Sequence, residues 1–268
     1  MMWANELSKL AMTGLALCVC AAGQSSPASN DAAQAQLAFV VQHLQAAQSQ
    51  NKADRSYIVT REYRLMDTRS SRVSSEVVAQ VQYVPPGQKE YVIQNRTGSG
   101  RGEQVVKRIL DHETEMSRRN SQAAAAALND ENYNFTYVGT DTVDGNQCYR
   151  IGLQPKRRET ELIVGQAWVD KNTFQVRRIE GETAKTPSWM LKKVHVRLDF
   201  ADVSGMWLQT GMEAVADVRF VGSQTLQSKT VDYRVTNDVA AKTGPRRSSP
   251  IRRSIPAELL FRPGSVRP

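Results

Sequence analysis

The sequence predicts an α+β fold: a strongly curved antiparallel β-sheet of about ten strands, a half-barrel, with a few helices covering its concave face. Three observations lead there. From Asn134 to Val235, short segments of alternating apolar and polar residues succeed one another across short, turn-rich connections. No strand–helix–strand alternation runs through that half, so neighbouring strands pair antiparallel. Helical periodicity is confined to a few stretches, enough to cover one face of a sheet wide enough to curl under its own accumulated twist.

The chain opens outside that fold. Lys9 precedes a run from Leu10 to Ala22 that is apolar apart from Thr13 and Gly14, and Ser25, Ser26, Pro27 and Ser29 follow. This is the pattern of a secretory signal peptide, expected over residues 1–23. The run is shorter than the roughly 20 residues a membrane-spanning helix needs. Cys18 and Cys20 raise the alternative of an outer-membrane lipoprotein. Lipidation wants a small residue just before the cysteine, but Leu17 and Val19 stand there; cleavage after Ala21, Ala22 or Gly23 fits better. Cys148 is then left without a disulfide partner, so packing alone must hold an exported domain, expected over residues 31–238.

Asp31 is an expected N-cap, and Leu37, Val40, Val41 and Leu44 recur at helical spacing through Ala32–Gln50. Three strands follow. Tyr57, Val59, Tyr63 and Leu65 share a face of the first, interrupted by Arg61. Val77, Ala79, Val81 and Tyr83 alternate with Val78, Gln80 and Gln82 in the second. Pro85-Pro86-Gly87 turns the chain into a third through Tyr91 and Ile93. Gly98-Ser99-Gly100-Arg101-Gly102 reads as a flexible loop able to hinge helices over the sheet. Glu103–Arg118 is helical by the spacing of Val105, Val106, Ile109, Leu110 and Met116. Asn120 or Ser121 caps a further helix through Ala123–Leu128.

The second half is strand after strand. Phe135, Tyr137 and Gly139 share a face, and Asp144-Gly145 is a two-residue hairpin turn. Tyr149, Ile151 and Leu153 alternate with Arg150 and Gly152. Leu162–Val169 and Phe174–Glu180 flank the turn Asp170-Lys171-Asn172-Thr173. Val194, Val196, Leu198 and Phe200 alternate with His195, Arg197 and Asp199. Ser204-Gly205 turns the chain into Met206–Thr210; Ala216, Val218 and Phe220 follow, and the last strand runs through Val231, Tyr233 and Val235.

Composition and motifs exclude more than they select. With 40% hydrophobic and 23% charged residues the chain is globular. Its formal charge of +8 comes largely from a basic, Pro/Arg/Ser-rich flexible tail over residues 239–268. The aromatic residues are interleaved with the sheet, with Phe261 the one in the tail, which argues against nucleic acid; a disordered tail, or a contact with anionic lipid head groups or cell-wall polymer, is expected instead. The glycine loop lacks G-x-G-x-x-G spacing and follows an antiparallel strand, so it is not a dinucleotide site. His112-Glu113 has Met116 where a zinc protease carries its second histidine, and the three histidines fall on separate elements. No G-x-S-x-G elbow occurs, and no facing pair of carboxylates is singled out; Asp111, Glu113 and Glu115 read as a solvated helix face paired with nearby Lys and Arg. No catalytic residue, cofactor or metal site is expected, and the chain is not expected to be an enzyme.

What the strands do offer is an apolar face. Tyr57, Val59, Val81, Tyr83, Tyr91, Ile93, Tyr149, Ile151, Trp168, Val176, Val196, Leu198, Phe200 and Val218 are either the core under the helices or the lining of an incompletely filled cavity. Tyr149-Arg150-Ile151-Gly152-Leu153-Gln154-Pro155-Lys156, Trp168-Val169-Asp170-Lys171, Arg178-Ile179-Glu180-Gly181 and Asp202-Val203-Ser204-Gly205-Met206-Trp207 together resemble the LolA/LolB-like superfamily of periplasmic lipoprotein-sorting proteins, over Tyr133–Val235. The resemblance implies a half-barrel with a helical lid, a periplasmic location, and a cavity that shields acyl chains of lipids or lipoproteins. Arg61 is the positional candidate for that superfamily's cavity arginine. The Trp- and Pro-rich motifs of the true carrier are missing from the first half. An envelope sensor or protein-interaction module on the same fold is the alternative, and an envelope hydrolase a third reading.

Overall fold

The computed structural model describes residues 27–50, 55–118 and 126–236. The expected leader, most of the Ala-rich helix and the basic tail lie outside the described residues. The elements run α1 (Pro27–Gln50), β1 (Ser56–Asp67), β2 (Val73–Val84), β3 (Gln88–Gly98), α2 (Gly100–Arg118), β4 (Tyr133–Val143), β5 (Asn146–Pro155), β6 (Ile163–Asp170), β7 (Val176–Thr183), β8 (Leu191–Val203), β9 (Met206–Val218) and β10 (Gly222–Thr236). The first helix begins before the expected Asp31 cap, at a proline, which the first turn tolerates because its amide has no helical acceptor.

All ten strands form one sheet in the order β3-β2-β1-β10-β9-β8-β7-β6-β5-β4. Each pairing is antiparallel. Two meanders, β1–β3 and β4–β10, are thus joined by the long-range pairing of β1 with β10. The edges are β3 and β4, consecutive in the chain, so the sheet curls without closing. Register shifts bend it, among them those between Thr60 and Arg61, Val78 and Ala79, and Tyr137 and Gly139. Gly165 and Gly181 face each other on β6 and β7. A Cβ on Gly181 would stand 2.7 Å from the Gly165 Cα, so these strands come closer than any side chain would allow.

The turns follow local chemistry. Asp144-Gly145 and Ser204-Gly205 have positive φ at both residues, as a two-residue hairpin turn of matching twist demands. The β6–β7 turn is built by Asp170, which is buried: its Oδ1 accepts the amides of Asn172 and Thr173, and Arg177 donates to its Oδ2 at 2.5 Å. Phe174 does not open β7 as expected. It takes φ 55° inside the turn, where its ring packs against Phe39 and His43 of α1 and Tyr149 of β5. Likewise Phe220 is not a strand residue; β9 runs unbroken to Val218 and Phe220 sits in the next turn at φ 68°.

The glycine segment is a tight corner and not a loose hinge. Gly98 ends β3 and Gly100–Gly102 already form the first turn of α2. A Cβ on Gly102 would lie 2.2 Å from the Ser75 Cβ, so the helix start is pressed against β2.

Candidate functional site

Alternation fixes which side chains share a face. Ile151, Ala167, Ile179, Leu198 and Met212 are successive cross-strand partners from β5 to β9. At one end of this face α1 contributes Val40 and Leu44, both fully buried, to a cluster with Ile151, Leu153, Leu162, Ala167, Val169 and Val176. At the other end α2 contributes Val106 and Leu110 to a cluster with Tyr57, Val59, Tyr63, Val77, Ala79 and Val81.

The sequence-derived face therefore divides into parts. Tyr57, Val59 and Val81 are core beneath α2, with Tyr83, Tyr91 and Ile93 half-buried at its margin. Ile151 and Val176 are core of the α1 cluster, with Tyr149 and Phe200 packed on its margin. Val196, Leu198 and Val218 belong to neither cluster and are half-buried. With Ala214, Met212 and Phe200 they form an apolar strip on β8 and β9 that lies between the ground covered by the two helices. Trp168 requires a correction. It alternates with the buried Ala167 and Val169, so it points to the opposite, outer face, between its cross-strand partners Arg150 and Arg178, and its Nε1 donates to Asp141. It lines no cavity on the helix side.

The two helices are held differently. α2 runs back over β3, and polar contacts tie it along its length. Arg96 bonds Glu103 at 2.5 Å, the Tyr91 hydroxyl donates to Asp111 at 2.5 Å, Lys89 bonds Glu113 at 2.6 Å, and Ser117 donates to the Gly87 carbonyl. Glu113 is not the solvated residue that charge spacing on the helix suggests. It turns under α2 and also accepts from Arg61 of β1 at 2.9 Å. Burial pushes its carboxyl pKa up, but Arg61 and Lys89 outweigh burial and hold it at about 2. Arg61 is correspondingly locked in its charged form: burial disfavours the charge, and Glu113 more than restores it. The phenols above this pair, Tyr57 and Tyr63, are pushed up by burial and stay neutral. A carboxylate saturated by two cations cannot serve as a general acid. By contrast, the described polar ties of α1 to the sheet side are Gln45 to Asp130 at 3.1 Å and Gln175 to the Ala47 carbonyl at 3.3 Å; apolar and ring contacts do the rest.

Beside α1, a groove of about 480 Å³ opens against edge strand β4. Leu37, Val41, Tyr133 and Phe135 line it, and Asp130 and Lys156 stand among its polar residues. That is within the size range of small-molecule sites. Cys148 is fully buried, and its thiol pKa is raised by that burial. His112 is exposed, 3.8 Å from Glu161. Among the described residues no group of His, Cys, Asp and Glu gathers as a metal site, and no helix is long and apolar enough to cross a membrane.

A family model described as "uncharacterized protein"-like matches residues 104–239, about half of the chain. No curated protein matches the sequence. Among solved structures the chain is similar to a candidate outer membrane lipoprotein-sorting protein domain from Vibrio parahaemolyticus, at 12% identity over 77% of this chain and 95% of that one, with a TM-score of 0.43. It is similar to a LolA superfamily protein from Nitrosomonas europaea at 12% identity, over 75% and 94% of the two chains, with a TM-score of 0.33. It is also similar to LprF from Mycobacterium bovis at 12% identity, over 77% and 98%, with a TM-score of 0.30.

Proposed function

The chain belongs to the family matched over residues 104–239, and we propose that it is an exported, periplasmic lipid- or lipoprotein-binding protein that shields acyl chains on the helix side of its sheet and serves outer-membrane lipoprotein sorting. The observation that carries this reading is the strip Val196, Leu198, Phe200, Met212 and Ala214, half-buried between two helix-covered clusters. A core seals such residues; a binding surface leaves them reachable. Burying an acyl chain contributes about 0.8 kcal/mol per CH₂, so an apolar surface suffices and no reaction is required.

The test is native mass spectrometry of protein extracted with its membranes, together with uptake of a fluorescent acyl probe. Bound lipid, and loss of probe binding in Leu198→Asp with unchanged circular dichroism, support the reading. Lipid-free protein that takes up no probe overturns it.

A second reading, an interaction or sensor module, is favoured by one feature. Among the described residues β4 pairs only with β5, and it contains neither lysine nor proline, the residues that commonly guard a sheet edge. Among the described residues no strand pairs with its outer side, which could receive a partner's strand. Pull-down of an envelope protein that is lost when proline replaces Thr140 would favour this module.

A further inference from the structure

The two most exposed large apolar side chains of the described residues, Phe220 and Trp189, lie at one end of the sheet with Val221 and Met190. Trp189 is 75% exposed, Phe220 97%, Val221 57% and Met190 39%. They come from two segments, the β7–β8 connection and the β9–β10 turn, held side by side: the Arg219 amide donates to the Met190 carbonyl at 2.9 Å, and Leu191 pairs with Val218. Phe220 occupies the left-handed region at φ 68°, a costly conformation for a bulky residue, in a turn where asparagine or glycine would fit without strain. Unlike Phe174, which takes the same conformation to pack its ring against α1, Phe220 directs its ring into solvent.

Lys185, Lys192, Lys193 and Arg219 flank these side chains, and all four are exposed. Among them Lys193 pairs with Glu182 at 3.3 Å; burial raises the Glu161 carboxyl pKa, and Lys185 lies near enough to help lower it. A bulky apolar tip ringed by cations is the composition of a surface that enters the interface of an anionic bilayer: aromatic rings reside at head-group level, and lysines and arginines meet the lipid phosphates. The shape agrees, since a protruding turn needs a medium that deforms around it, whereas a protein partner must supply a matching hole.

The geometry points to Trp189, Met190, Phe220 and Val221 as a membrane-docking tip that inserts into the interface of anionic phospholipid bilayers, with Lys185, Lys192, Lys193 and Arg219 contacting the head groups. This surface lies at the end of β8 and β9, beyond the strip, and is made of different side chains; it stands whether or not that strip binds acyl chains.

The experiment uses the full chain with vesicles of phosphatidylcholine alone or with 30 mol% phosphatidylglycerol, about 30% being enough to set a substantial negative surface potential. Sedimentation reads the partition coefficient. Tryptophan emission, taken as the difference between wild type and Trp189→Phe, reads insertion through quenching by bromine-labelled acyl chains. The expected result is preference for the anionic vesicles, quenching of the Trp189 component, and at least a ~10-fold loss of partitioning in Trp189→Ser/Phe220→Ser. A loss of similar size, suppressed by high salt in the wild type, is expected in Lys192→Glu/Lys193→Glu. Both pairs are exposed, so circular dichroism and melting temperature should not change. Binding that persists in both variants, or an unquenched Trp189 component, overturns the proposal. So does a wild type that self-associates without lipid while Trp189→Ser/Phe220→Ser stays monomeric, which would make the tip an interface between copies of the chain.

Discussion

Replacing Glu113 by glutamine keeps the shape of the side chain and removes its charge from between Arg61 and Lys89. The cost can be worked from the carboxyl's own titration. Its pKa is held at about 2 against an ordinary 4.5, which corresponds to about 3 kcal/mol at neutral pH. Removing one partner of a buried ion pair costs roughly 3–5 kcal/mol, and the 15% exposure of this carboxylate places it at the low end of that range. The sign follows from the direction of the shift. The folded-state pKa is depressed, so the contribution is complete above pH 4.5 and is lost as pH falls from there towards 2. Urea unfolding at pH 7 should show Glu113→Gln destabilised by about 3 kcal/mol, with a melting temperature lower by about 6–12 °C for a domain of this size. Near pH 2 the difference should shrink to roughly a few tenths of a kcal/mol, because the wild-type carboxyl is then about half protonated. A loss below 1 kcal/mol at pH 7, or the same loss at both pH values, would refute the reasoning: the first would mean that the cations find other partners, the second that the side chain's packing and not its charge matters.

Two further outcomes follow from packing. Leu44→Ala empties a fully buried position beneath α1 and should cost about 2–5 kcal/mol; hydrogen exchange should quicken along α1 and leave α2 protected. Gly102→Ala drives a Cβ to 2.2 Å from the Ser75 Cβ and should destabilise the start of α2 by roughly 1–3 kcal/mol, and Ser75→Gly in the same chain should recover part of that loss, which equilibrium unfolding of the three proteins measures.

The strand order was legible because its determinants are local. Asp144-Gly145 and Ser204-Gly205 demand left-handed backbone, the strands alternate, and short connections leave antiparallel neighbours as the natural pairing. The pairing of β1 with β10 was not legible, since nothing near either strand announces the other. Phe174 and Phe220 look like strand residues, because an aromatic residue at positive φ contradicts its own propensity and is explained only by what it packs on, or by what it is left to meet. Trp168 was misassigned because Leu162, Ile163 and Val164 are apolar in succession; alternation there supports either face, and burial of Ala167 and Val169 decides. Glu113 was misread for a similar reason. Its partners lie 52 and 24 residues away, whereas the basic residues close to it in sequence suggest a solvated helix face.

The same contrast bears on how a ligand would enter. An acyl chain that extends from the β8–β9 strip beneath either cluster must displace part of one covering helix, and the two helices resist in different ways. Lifting α2 breaks the contacts of Glu113, Asp111, Glu103 and Ser117 and strands Arg61 beside apolar surface, a cost that hydrocarbon cannot offset because it offers no hydrogen bond. Lifting α1 chiefly exposes Leu37, Val40 and Leu44, each worth about 1.5–3 kcal/mol when buried. An acyl chain covering the same surface returns about 0.8 kcal/mol per CH₂, so roughly ten methylenes exchange for those three side chains with little net change. On this sheet α1 is therefore the displaceable cover and α2 the fixed wall, and the groove of about 480 Å³ already open between α1 and β4 is where such an exchange would begin.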